Sequence, residues 1–206
     1  MAGGKMSQYR LGCILAKTAA ILLLTGPETV LPNLCALPDG RALPFRRMFT
    51  HPQLLRRLRW MLGDRFRAFG TSQTVGRAVL SAPGACGHPL HSGRTQLRGA
   101  WGNYAIGNGR SYVTSVNVAW QLRDVTASDG GYCAVLGSHK AREPPPGART
   151  TNIDLPHVVH VPLRRGDCLC FMGSAQMHGA FAWQGEVGRR ACLFNYMARD
   201  RPGPRL

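Results

Sequence analysis

The chain has 206 residues, enough for one domain around a single buried core and too few for two ordinary domains with a linker. Hydrophobic residues make up 44% and charged residues 17%, which excludes a disordered acidic or basic tail, and 25 Gly with 14 Pro favour many turns over long helices. The net charge of +16 raises an anionic partner, but the cations are almost all arginines scattered along the chain, with lysine only at Lys5, Lys17 and Lys140, so they do not form a phosphate-binding track for nucleic acid.

The first forty residues give no definite fold. "YRLGCILAKTAAILLLTGPET" is apolar but interrupted by Lys17, too short a run for a membrane span. Lys5 and Arg10 ahead of "TAAILLLTG" are compatible with a targeting segment, and a packing helix or strand at the domain edge is the alternative. Seven cysteines, an odd number without a C-x-x-C pair, argue for free thiols in an intracellular reducing compartment rather than a disulfide frame. Cys168 and Cys170, two apart, share one face of a strand as small core residues.

From 50 to 69, "THPQLLRRLRWMLGDRFRAF" places Leu54, Leu58, Met61 and Leu62 at helical spacing with Arg56, Arg57 and Arg59 turned away. Thr50 or His51-Pro52 starts this helix and Gly63 ends it. The arginine-rich span 41–67 is read as a solvated face. Beyond Phe69 the pattern changes to short runs rich in β-branched and aromatic residues: "TVGRAVLS", "SYVTSVNVAWQLRDV", "GGYCAVLGS", "HVVHVPL", "DCLCFMG" and "RACLFNYMA". Such spacing predicts a β-sandwich or barrel. "KAREPPPGARTTNID" carries three consecutive prolines and reads as a surface loop.

Two histidines stand out by position, His91 at the end of "GHPLH" and His178, followed by a glycine that permits close approach of backbone or ligand. "LRDVTASDGGYCAVLGSHK", then "GDCLCFMGSAQMHGAFAW", then "GRRACLFNYM" resemble, in order and spacing, the phytanoyl-CoA dioxygenase family of Fe(II)- and 2-oxoglutarate-dependent oxygenases. The resemblance covers about residues 45 to 197. It implies a mainly β fold, the double-stranded β-helix (a cupin-like jelly roll) with short flanking N-terminal helices. The expected division is an N-terminal segment at 1–40, the oxygenase-like domain at 41–200 and a tail at 201–206.

By that resemblance His91 and His178 are metal ligands, and Arg189, eleven residues past His178, pairs with the distal carboxylate of 2-oxoglutarate, a role a guanidinium fills with two parallel hydrogen bonds. Arg190 is the alternative if the register slips by one, since adjacent strand positions face opposite ways. Trp120, Tyr104 and Trp101 are candidates to line a substrate pocket, with Ser138 beside its mouth and His139 a loop residue rather than a ligand. His157 and His160 fall on opposite faces of a strand, and His88 meets His91 only if "HPLH" turns. The implied cofactors are Fe(II) and 2-oxoglutarate, with ascorbate as a further candidate; the partners are O2 and a small organic molecule whose aliphatic C–H is hydroxylated.

The chain departs from the family at one place. The H-x-D motif reads His91-Ser92-Gly93, and none of the other histidines has Asp or Glu two residues on. Three readings stay open. Activity persists with water or a remote carboxylate, Asp124 being the donor; Gly93 admits chloride, as in related halogenases; or the metal site is inactive and the chain is a binding module.

Overall fold

The computed structural model describes residues 28–68, 76–92, 104–107, 110–140 and 157–199. Two antiparallel sheets carry the fold. The larger has the order β1 (Glu28–Leu31), β3 (Arg77–Ser81), β12 (Arg189–Ala198), β7 (Ser115–Gln121), β10 (Cys168–Phe171), with β2 (Phe66–Ala68) also pairing β12. The smaller runs β4 (His88–His91), β11 (His178–Phe181), β8 (Gly131–Val135), β9 (Val158–His160), and β5 (Tyr104–Gly107) with β6 (Arg110–Val113) makes a separate ribbon. This is the expected jelly roll.

Strand alternation sorts the large sheet into two faces. Ala78, Val116, Val118, Cys192, Phe194 and Tyr196 point to one side, where they are buried against Leu34, Phe45, Met48, Leu54, Leu58 and Leu62. The last five lie on helices α1 (Leu43–Phe49) and α2 (Pro52–Leu62), and Leu34 precedes them. Helix α2 starts at Pro52, whose fixed φ suits the first helical position, and stops at Gly63 with φ of 81°. Helix α1, N-terminal to the predicted one, also has proline in its first turn. The Tyr196 ring stacks on Phe49 at 4.9 Å and its hydroxyl donates to the Phe49 carbonyl at 2.7 Å, so the helices are tied to the centre of the sheet. Cys168 and Cys170 share this helix-side face, as the alternation requires, and the described cysteines are all free.

The opposite face of the large sheet looks toward the small sheet. There Phe171 of β10 packs with Tyr132 and Ala134 of β8. Among the described residues no helix is long and apolar enough to cross a membrane.

Candidate active site

The run "HPLH" forms β4, an edge strand, where a proline's missing N–H costs least. Its pairing with β11 is irregular: His178 opposes His91 while Ala180 opposes His88, so three steps on β4 match two on β11. The extra residue is a β-bulge, which re-aims side chains. His88 and His91, which regular alternation would put on opposite faces, consequently lie with ring centroids 4.6 Å apart. The glycine after His178 serves this approach: a Cβ at Gly179 would stand 2.6 Å from the His88 carbonyl oxygen.

His91 and His178 meet with ring centroids 4.2 Å apart. Each uses Nδ1 in the same way, on the backbone carbonyl two residues earlier: His91 on Pro89 at 2.8 Å and His178 on Gln176 at 2.8 Å. A neutral imidazole that donates from Nδ1 has its lone pair on Nε2, the arrangement that prepares a histidine for a metal. Protonation is disfavoured at both. Burial holds the His178 pKa down to about 4, with His91 and His88 adding repulsion against the Gln176 carbonyl. Burial also lowers that of His91, the Pro89 carbonyl opposing and His88 and Arg77 reinforcing.

The donor chemistry therefore fits two neutral nitrogen ligands. It does not supply a third: among the described residues no group of three His, Cys, Asp or Glu side chains is placed to hold a metal. Asp124 is not brought to the pair, because its carboxylate faces outward and accepts the Arg165 N–H at 2.7 Å, pinning a loop. Gly93 lies outside the described residues.

Arg189 and Arg190 part as neighbouring strand residues must. Arg189 opposes Ser81 on the face turned toward the small sheet, is only 9% exposed, and runs its side chain across to β8, with Nε 3.5 Å from where a Cβ on Gly131 would stand. Arg190 is half-buried on the other face, where burial and Arg123 lower its pKa.

Two nominated pocket residues belong elsewhere. Trp120 points to the helix side, packing against the core there and meeting His51 edge-on at 5.6 Å. Ser138 has its hydroxyl committed to backbone, donating to Val135 O at 2.8 Å and accepting Met177 N–H at 2.9 Å, so it fixes the residue before His178 rather than facing a ligand. Tyr104 lies on β5, opposite Val113, and nothing further of its side chain is described; Trp101 lies outside the described residues. His139 sits in the short 3-10 turn Ser138–Lys140, and His160 contacts the Gly130 carbonyl, apart from the histidine pair.

Sequence reasoning missed three residues on the interior. Phe171 packs 4.7 Å from the His178 ring, and Tyr132, its hydroxyl buried without a partner among the described residues, lies 6.3 Å from the same ring. Burial raises the Tyr132 pKa, so its hydroxyl remains a hydrogen-bond donor. Gln121 is the third. Its position next to Trp120 was the available signal, since strand alternation sends one of two adjacent residues to each face.

The chain is thus a jelly roll that pairs two histidines from β4 and β11 and buries an arginine at the start of β12. The chain matches the phytanoyl-CoA dioxygenase (PhyH) family over residues 37–191 and belongs to that family. No curated protein sequence matches it. Its fold is similar to HygX from Streptomyces hygroscopicus, whose structure holds nickel and 2-oxoglutarate, with a TM-score of 0.73 and 21% identity over 97% of this chain and 80% of that one. It is also similar to the epimerase SnoN in complex with Fe3+, alpha ketoglutarate and nogalamycin RO, at TM-score 0.61 and 20% identity over 94% and 76% of the two chains. AviO1 from Streptomyces viridochromogenes Tue57 has a TM-score of 0.65 at 19% identity, over 98% and 88%.

Proposed function

We propose that the chain is an Fe(II)- and 2-oxoglutarate-dependent oxygenase that hydroxylates an aliphatic C–H of a small organic substrate, with 2-oxoglutarate converted to succinate and CO2. The observation that carries this reading is the His91–His178 pair, both rings neutral and both tied through Nδ1 to backbone carbonyls. Family membership supports it, as does the likeness in fold to HygX and SnoN, whose structures hold a metal with 2-oxoglutarate.

In this reading His91 and His178 hold the iron through Nε2, and Arg189 holds the distal carboxylate of 2-oxoglutarate. Bound iron supplies O2 activation coupled to oxidative decarboxylation of the cosubstrate. The chain's own work is positional. Phe171 and Ala134 keep water from the His178 side of the interior, and the protonated Tyr132 hydroxyl offers a donor there. Arg189, buried on the interior side of the large sheet, would supply the fixed positive charge with which a dicarboxylate pairs.

Gly93, standing where the H-x-D motif has its carboxylate, supports a second reading, a family member that binds 2-oxoglutarate without turning it over. Succinate formation from 2-oxoglutarate by the Fe(II)-loaded protein separates the two. Turnover abolished in His178→Ala supports the oxygenase; binding without succinate in the wild-type protein supports the second reading. Turnover retained in His178→Ala refutes the assignment of the pair.

A further inference from the structure

Around Arg189 the interior face of the large sheet carries the small or apolar side chains of Val79, Ala119 and Ala191 on adjacent strands, while Asn117 and Asn195 lie further along it. Ser81, Arg189 and Gln121 interrupt it together. Ser81 is the direct cross-strand partner of Arg189, and Gln121 is the direct partner of Ala191, two residues further along β12. Gln121 and Arg189 are therefore diagonal neighbours on one face of an antiparallel pair, a separation of about 7–8 Å between backbones that long side chains close.

Gln121 is 1% exposed, and neither its Oε1 nor its Nε2 has a hydrogen-bond partner among the described residues. Its backbone is already committed, the N–H to Asp167 O at 2.9 Å and the carbonyl accepting Gly166 N–H at 2.8 Å, so the strand is not free to shift and satisfy the amide. A buried primary amide without partners is costly, whereas a leucine or methionine would fill the same volume without that cost. Such a group makes sense when its partner arrives with a ligand.

We propose that Gln121 is a cosubstrate-binding residue: its Nε2 donates to the carboxylate of 2-oxoglutarate that Arg189 pairs with, so that an amide and a guanidinium share one carboxylate. This rests on the oxygenase reading above, and on Arg189 as its anchor. Arg189 supplies charge and two donors; Gln121 supplies a third donor from the next strand, fixing the direction in which the carboxylate enters.

The test is anaerobic calorimetric titration of 2-oxoglutarate into the Fe(II)-loaded protein, for wild type, Gln121→Met, Gln121→Glu and Arg189→Ala, with thermal melts of each metal-free protein. Gln121→Met is expected to weaken 2-oxoglutarate binding about tenfold while leaving Fe(II) binding unchanged and the melting temperature equal or higher, because an unsatisfied amide has gone. Gln121→Glu is expected to weaken it further by repelling the dianion. Wild-type affinity in Gln121→Met, or a lowered melting temperature there, overturns the proposal, the latter by showing a structural partner. If Arg189→Ala weakens binding and Gln121→Met does not, only the proposal falls; if wild type binds no 2-oxoglutarate, the oxygenase reading falls and takes the proposal with it.

Discussion

His178 is the direct register partner of His91 across the ladder of β4 and β11, and their rings stand 4.2 Å apart, next to a bulge that brings His88 beside His91. The approach depends on a residue that is not itself a ligand. Gly179 lets the His88 carbonyl come within 2.6 Å of the space a Cβ would occupy, a contact with backbone that no rotamer change relieves.

Gly179→Ala is therefore expected to push β4 from β11, destabilising the protein by about 1–3 kcal/mol and weakening metal binding beyond what the loss of stability explains. Denaturant unfolding with and without Fe(II) measures both. A variant with unchanged stability and metal affinity would mean the two strands are not held as described.

The histidine pair gives the metal-free protein a pH signature. The His178 pKa falls from the ordinary 6.5 in the unfolded chain to about 4 in the fold, through burial first and the neighbouring His91 next. The unfolded state then binds the proton more readily, so the stability from keeping His178 neutral is fully present above pH 6.5 and is lost as pH falls through that range toward 4. The loss attributable to this residue is roughly 3 kcal/mol. Unfolding free energy measured across that range should fall more steeply in wild type than in His178→Asn; equal slopes would refute the assignment.

Ser138 anchors the strand that presents His178. Ser138→Ala removes the bond to Val135 O and leaves the buried Met177 N–H unpaired, at an expected cost of about 1–3 kcal/mol. The same variant should leave the 2-oxoglutarate requirement of the folded protein unchanged, which a direct role at the substrate mouth would not. Comparing melting temperature with cosubstrate titration distinguishes these roles.

The two arginines at the start of β12 differ by face. Arg189 is buried toward the small sheet and Arg190 lies on the other side. Arg189→Ala should raise the 2-oxoglutarate concentration needed for half-saturation by more than about tenfold, the scale of a lost charged hydrogen bond, and Arg190→Ala should change it little. The reverse order would place the anchor on the wrong residue.

Much of the fold was legible from local pattern. The apolar positions of α2 recur at helical spacing, and most of the strands of both sheets are bounded by Gly, Pro or Asp where the chain turns. The meeting of His91 and His178 and the burial of Arg189 were legible in outline because the three lie at ends of elements whose order the sequence preserves. The errors came from direction. Trp120 and Gln121 are adjacent, and without knowing which face of β7 meets the helices, the bulky aromatic is expected on the interior face, where the structure has the amide instead. Ser138 was misread because its partners, Val135 and Met177, are brought together only by the packed chain. The meeting of His88 with His91 was invisible because a bulge breaks the alternation from which strand faces are read.

In the proposed function this interior chelates iron with 2-oxoglutarate although the H-x-D motif reads His91-Ser92-Gly93. Anaerobic visible absorption of the purified protein, on adding Fe(II) and then 2-oxoglutarate, tests it most directly. A visible charge-transfer band is expected only when both are present, and its loss is expected in His178→Ala. No band at saturating iron and cosubstrate would contradict it.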